Sequence, residues 1–180
     1  MQIIKVNKFT TTPWINGGGM TRQIAIHPES ANASLLDFDW RLSWASVNSS
    51  GDFSSFPGYQ RLLVVWEGEL SLNDRQLPLL TPYSFSGELK TTCQLHSENV
   101  EDLGLIYRPD KIDADMKIHY VRGTVESKFS PNSFLFCASG AVQAAGFELQ
   151  RAQCLYIKKA TELKMTSLKA VVIAVQLRSK

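Results

Sequence analysis

Cysteine and histidine are both scarce in this chain. The three cysteines, Cys93, Cys137 and Cys154, are scattered and form no CxxC pair. That argues against a disulfide framework or a zinc knuckle and for buried thiols in a reducing cytoplasm. The three histidines, His27, His96 and His119, form no HxH or HxxxH pattern. Metal sites in β-barrels draw on clustered His and carboxylates, so a metal-free protein is expected. No apolar run reaches the roughly 18 residues of a membrane span. The start, MQIIKVNKF, lacks the apolar core and cleavage site of a secretory signal. No GxSxG elbow occurs, and the triple glycine at 17–19 lacks the GK[ST] ending of a phosphate loop. A cytoplasmic protein with no membrane partner and no cofactor is expected.

Charge of one sign is also in short supply, with a net charge of +2. From Arg151 onward there are seven Lys or Arg and one acid, Glu162. These bases sit between strand-like runs without interleaved aromatics, which reads as solvated outer faces and not as a nucleic-acid surface.

Helical periodicity is missing as well, whereas short β-branched and aromatic runs recur along the whole chain. Such runs, with turns every 8–12 residues, indicate an all-β sandwich or barrel. At 180 residues and 44% hydrophobic the chain can bury a core as one domain or two small fused ones. The polar stretch PDKIDAD (109–115) is the best boundary, dividing the chain into 1–110 and 111–180. A shift of 72 residues brings like positions together: Leu63 with Leu135, Gly68 with Gly140, Leu70 with Val142, Leu77 with Leu149. Tyr83 then meets Leu155, Phe85 meets Ile157 and Leu105 meets Leu177. This implies two related β-units, the second stripped of polar groups.

The chemistry concentrates in WRLSWASVNSSGDFSSFPGYQRLLVVWEG (40–68), which holds three of the four tryptophans. Alternation along a strand sends Trp40, Leu42 and Trp44 to one face and Arg41, Ser43 and Ala45 to the other. Arg61 opens the next run, and Phe53, Phe56, Pro57 and Tyr59 crowd the loop between. Trp14, Asn16 and Arg22 flank the triple glycine, which can bring backbone N–H groups close to a ligand. Arginine's planar fork matches carboxylates bidentately. If Arg22, Arg41, Arg61 and Arg108 share a cavity, either an internal acid such as Asp102 or an anionic ligand must satisfy them. The competing reading pairs these arginines with acids at strand ends and makes the aromatic loop a plug on the core.

WINGGGMTRQI, WRLSWASV, GDFSSFPGYQR and DLGLIYR, in this order, resemble the HutD/Ves family of bacterial proteins. The resemblance implies a bicupin fold and a link to histidine catabolism through sensing a metabolite such as N-formylglutamate. Gly104 stands where the family pattern carries Asn, Gln23 where an acid is common, and Trp44 where a smaller residue is usual. The cupin metal-ligand positions fall on Pro57 and Tyr59. The expected ligand-binding set is Trp14, Asn16, Arg22, Arg41, Ser43, Phe56, Pro57, Gly58, Arg61 and Asp102, in the 1–110 unit. The function expected is non-catalytic binding of a small carboxylate metabolite, regulatory in effect. The alternative is a metal-free cupin isomerase or lyase using Asp102 or Tyr59 as acid or base. A homodimer stays open.

Overall fold

A computed structural model of the chain describes residues 1–4, 9–14 and 17–180. Apart from a 3₁₀ turn at Ala33–Leu35, every regular element among them is a strand. The strands fall into two compact units, Phe9–Ile112 and Asp113–Lys180 with Met1–Lys8. Residues 1–4, expected with the N-terminal unit, instead group with the C-terminal one. The reason is strand pairing: β1 (Gln2–Ile4) runs antiparallel to β15 (Cys154–Ile157), with Ile3 opposite Leu155.

The Phe9–Ile112 unit is a two-sheet sandwich. Its larger sheet has the order β2 (Thr10–Pro13), β3 (Gly19–His27), β4 (Trp40–Val47), β11 (Val100–Tyr107), β6 (Gln60–Glu67), β9 (Tyr83–Ser86). The smaller is β5 (Gly51–Asp52), β10 (Thr92–Leu95), β7 (Leu70–Leu72), β8 (Arg75–Gln76). Ala45, Val47, Leu63 and Val65 from one sheet pack on Leu70, Leu72, Leu77 and Cys93 near the other, closing one end of the sandwich. The β7–β8 hairpin turns at Asn73 and Asp74, both at positive φ, as a tight two-residue hairpin requires.

The other unit uses fewer and longer strands: β12 (Ile112–Phe129), β13 (Ser133–Ala144), β14 (Phe147–Gln150), β15 and β16 (Thr161–Ser179). The sequence read these as short runs, but β12 spans 18 residues and β16 spans 19. SFLFCAS and AVQAA are one strand, β13, bent at register shifts opposite β16 between Cys137 and Gln143. Gly140 sits in that bend at φ +74, where a Cβ would lie 2.2 Å from the Lys169 carbonyl oxygen. Bulges let one strand turn a corner and serve two layers, so a glycine need not end the strand.

The 72-residue repeat matches strand register. Leu63 pairs with Tyr83 and Arg61 with Phe85; Leu135 pairs with Leu155 and Ser133 with Ile157. Gly68 and Gly140 both have positive φ. The last step slips, however. Leu105 faces Leu62, whereas Phe134 faces Val175, so the counterpart of Leu105 is Val175 and not Leu177. The segment leading from Ile157 into β16 is two residues shorter than its equivalent before β11.

Candidate functional site

The register of the larger sheet lays out the floor of a cavity in rungs. Arg41 of β4 lies opposite Ile106 of β11, which lies opposite Arg61 of β6. The next rung down is Ser43, Gly104 and Leu63, and the third is Ala45, Asp102 and Val65. Alternation therefore puts both arginines, the serine and the acid on one face. That face, the turn around Ala33–Leu36 and the Asp52–Phe56 loop enclose a cavity of about 660 Å³. Trp14 and Thr21 wall one side, with the indole Nε1 donating to Thr21 Oγ1 at 2.8 Å and the ring edge-on to Phe53.

The two arginines are held without acid partners. Arg41 Nε donates to Gln23 Oε1 at 3.0 Å, and Arg61 Nη1 donates to the Ser54 carbonyl at 3.2 Å. Among the described residues neither is in an ion pair. The Arg61 guanidinium is caged by the rings of Phe53, Phe56 and Phe85, 5.0–5.5 Å away, a cation–π setting that tolerates a desolvated charge. Burial lowers the pKa of Arg41; it takes that of Arg61 down to about 10, with Asp102 opposing the fall, so Arg61 stays charged at neutral pH. Asp102 is 3% exposed. Burial lifts its carboxyl to about 7, opposed by Arg61 and reinforced by Glu101. No protein group among the described residues hydrogen-bonds it. Gly104 leaves the space beside it open: a Cβ there would sit 3.6 Å from Asp102 Oδ1 and 3.9 Å from Ser43 Oγ.

The structure thus brings together Trp14, Arg41, Ser43, Phe56, Arg61 and Asp102 from the expected set. Asn16 lies outside the described residues. Arg22 does not line the cavity. It sits on the opposite face of the sheet, donating to Ser46 Oγ at 2.7 Å and lying 4.3 Å over the Trp44 ring. Ser46 in turn donates to Glu101, as does Trp44 Nε1. Being next to Thr21 on a strand, Arg22 must face away from it.

Pro57 and Gly58 do not line the cavity either; they form the turn that aims Phe56 into it. Tyr59 N–H donates to the Phe56 carbonyl, with Gly58 at φ +79, and that Pro-Gly order suits a type II turn. The turn docks on Gly87, where a Cβ would lie 2.5 Å from the Phe56 carbonyl oxygen. Tyr59, named as a possible acid or base, is committed elsewhere. Its hydroxyl bonds the carbonyls of Leu36 and Phe38 at 2.7 and 2.8 Å, anchoring the β3–β4 connection. Arg108 faces Asp110 at 3.6 Å, outside the cavity. The triple glycine also does not reach the cavity. Gly17 N–H bonds the Trp14 carbonyl, the Gly18 carbonyl accepts from Asn48 and Ser49, and Gly19 is needed because a Cβ would lie 2.6 Å from the Ser46 carbonyl oxygen.

Phe53, Ser54 and Gly104 line the cavity and Gln23 holds Arg41, although the expected ligand-binding set contains none of the four. Gln23 had a usable signal: it shares the inward parity of Thr21, two residues away. Gly104 was marked only as a departure from the family's Asn, and its value lies in the volume it leaves.

The HutD family model matches residues 6–175. The chain belongs to the HutD family. It is 34% identical over 175 residues to an uncharacterized 21.2 kDa protein of the hutC 3′ region of Pseudomonas putida, covering 91% of this chain and 90% of that one. A conserved protein of unknown function from Pseudomonas aeruginosa PAO1 superposes at a TM-score of 0.84, with 30% identity and 99% and 98% of the chains covered. HutD from Pseudomonas fluorescens SBW25, solved in a formate condition, superposes at 0.78 with 29% identity over 98% of each chain. Fold likeness alone extends to the bacterial pirin YhhW of Escherichia coli, in complex with nickel(II), and to oxalate decarboxylase of Bacillus subtilis. Their TM-scores are 0.69 and 0.66, with 10% and 8% identity, over 97% of this chain and 98% and 76% of those. The fold is all-β and bicupin-like. Among the described residues of this HutD-family chain no three His, Cys, Asp or Glu side chains gather as a metal cluster. The cavity's donors, two guanidiniums with Asp52 and Asp102 as its acids, do not fit a divalent cation. Among the described residues no helix is long and apolar enough to cross a membrane.

Proposed function

We propose that the cavity of the Phe9–Ile112 unit binds a small carboxylate metabolite, without turnover, as the sensing step of a regulatory role in histidine catabolism. Membership of the HutD family ties the chain to histidine utilisation. The observation that carries the ligand class is the pair of desolvated arginines, Arg41 and Arg61, facing one cavity with no ion pair to either among the described residues. Buried charges without enough counter-charge are costly; Asp102 near Arg61 offers at most one negative charge to two guanidiniums, and a bound carboxylate supplies another. The Nη atoms of Arg41 have no acceptor among the described residues, so its fork is open to a bidentate contact. Each charge-assisted contact contributes roughly 1.5–3 kcal/mol, which after ordering costs leaves micromolar to millimolar affinity. N-formylglutamate is the first candidate.

Calorimetric titration of the wild type and Arg41→Lys with N-formylglutamate and related carboxylates is the test. Lysine keeps the charge and loses the fork, so binding should weaken about tenfold or more. Equal affinity for both proteins would remove Arg41 from the site. A second reading, a metal-free enzyme, has one observation in its favour: Asp102 titrates near neutrality inside the cavity, as a general acid or base would. Proton NMR of a bound carboxylate over hours separates the two, since a pure sensor leaves it unchanged.

A further inference from the structure

Resting on the carboxylate reading, charge counting inside the cavity narrows the ligand. Two guanidiniums sit on the upper rung and one carboxyl on the lower, with Gly104 between them contributing no side chain. Asp102 Oδ1 and Ser43 Oγ face the same open volume over Gly104. An ionised Asp102 would neutralise half of the arginine charge from below and repel a second anionic group. We propose that Asp102 sets the ligand charge this cavity accepts: with its carboxyl protonated the site takes a dicarboxylate, one carboxylate for each of Arg41 and Arg61, and binding draws a proton onto Asp102 when it starts ionised. The protonated carboxyl then donates a hydrogen bond to the ligand, and Ser43 offers a second donor on the same rung.

The groups around Asp102 agree with this assignment. Arg61 on β6 favours its ionised form. Glu101 on its own strand favours the protonated form from the other face. Cys93 on β10 is pushed up to about 11 by burial and by Asp102, so it stays a neutral thiol and adds no charge. Asp52, at the cavity mouth, is bonded by Thr92 Oγ1 at 2.7 Å and lies 4.0 Å from Lys90. No histidine lines the cavity among the described residues. An arriving dianion occupies both arginines, removes the influence that kept Asp102 ionised, and adds negative charge beside it. Every change favours the proton.

The experiment is isothermal titration of the full-length wild type with glutarate, and with butyrate as the monoanion. It is run at pH 6 and pH 8 in buffers of differing ionisation enthalpy that carry no anion of their own. Glutarate is expected to take up close to one proton at pH 8 and under about 0.2 at pH 6, with affinity falling toward tenfold per pH unit above neutrality. Butyrate, leaving one guanidinium free to hold Asp102 ionised, should take up less than half as much. Asp102→Asn, which fixes the neutral form, should bind glutarate equally at both pH values with no uptake. The wild-type buffer series decides the matter even if that variant does not fold. Glutarate binding with no proton uptake at pH 8, or uptake that persists in Asp102→Asn, overturns the inference and leaves the carboxylate reading standing. No binding of glutarate, butyrate or N-formylglutamate at either pH overturns the reading and the inference together.

Discussion

The two β-units follow one plan and spend its interior differently. Position for position, Arg61 corresponds to Ser133, Leu63 to Leu135 and Val65 to Cys137. Across the next strand Asp102 corresponds to Val172 and Gly104 to Ala174. In the Asp113–Lys180 unit Leu135, Cys137, Val172 and Ala174 pack with Leu155, Ile157 and Met165 into a core whose members are 5% exposed or less, and Ser133 is fully buried beside them in sequence. In the Phe9–Ile112 unit the same rungs hold two cations, an acid and a glycine around about 660 Å³ of space. The Asp113–Lys180 unit is solid on the inside, whereas the Phe9–Ile112 unit keeps an apolar plug only at one end, around Leu70, Leu72 and Leu77. A cupin sandwich therefore does not need its interior filled at every level to hold its register. Ladder hydrogen bonds and one packed end suffice, and the other end becomes free for chemistry.

Substitutions at paired positions test how far that comparison goes. The largest effect should come from Leu135→Ala in the filled unit, a loss of about 3–5 kcal/mol in denaturant unfolding, because the surroundings cannot collapse. Its counterpart Leu63→Ala borders a cavity already present and should cost nearer 2 kcal/mol. Equal losses would mean that the cavity is not open in solution.

Replacing Asp102 by its counterpart, Asp102→Val, should stabilise the fold at pH 8. Burial raises this carboxyl from 3.8 to about 7. The native state thus holds a proton that the unfolded chain has released, and stability falls as pH rises across that window. The three-unit difference sets an upper bound of about 4 kcal/mol at pH 8, vanishing near pH 4. Thermal unfolding from pH 4 to 8 should show wild type losing stability relative to the variant. Parallel curves would place the Asp102 titration at its ordinary value.

Gly104→Ala copies Ala174 and should leave stability within about 0.5 kcal/mol, since the added methyl makes ordinary contacts. Carboxylate affinity should drop about tenfold, as the methyl occupies the volume between Asp102 and Ser43. The smallest effect is expected for Arg22→Ala. It should cost under about 1 kcal/mol of stability through the Ser46 contact and leave carboxylate binding unchanged. Weakened binding there would contradict the placement of Arg22 on the far face.

Much of this was legible in the chain. Alternation in WRLSWASV assigned Arg41, Ser43 and Ala45 to one face, and that is a local property of extended backbone. The 72-residue period located the paired strands because both copies bury apolar residues at the same rungs. Arg22 was misplaced because it neighbours a glycine-rich turn in sequence, and proximity along the chain does not say which face of a strand a side chain takes unless a partner strand's parity is known. Pro57 and Gly58 share a motif with Phe56, yet their backbone conformations make the turn and only the ring enters the cavity. Likewise Tyr59 reads as a cavity residue until its hydroxyl is seen closing on two carbonyls of the β3–β4 connection.

Residue types and their two-residue period determined that this chain forms strands, which residues those strands present together, and that the second half lacks the polar groups of the first. Only tertiary structure decided that β1 joins the C-terminal unit, that Arg41 and Arg61 share a rung through Ile106, and that Asp102 sits beneath them beside an empty glycine. Those are matters of which strands neighbour each other and in what register. They depend on long-range pairing across tens of residues, and no local pattern encodes the distance between two side chains that meet only when the sheet is assembled.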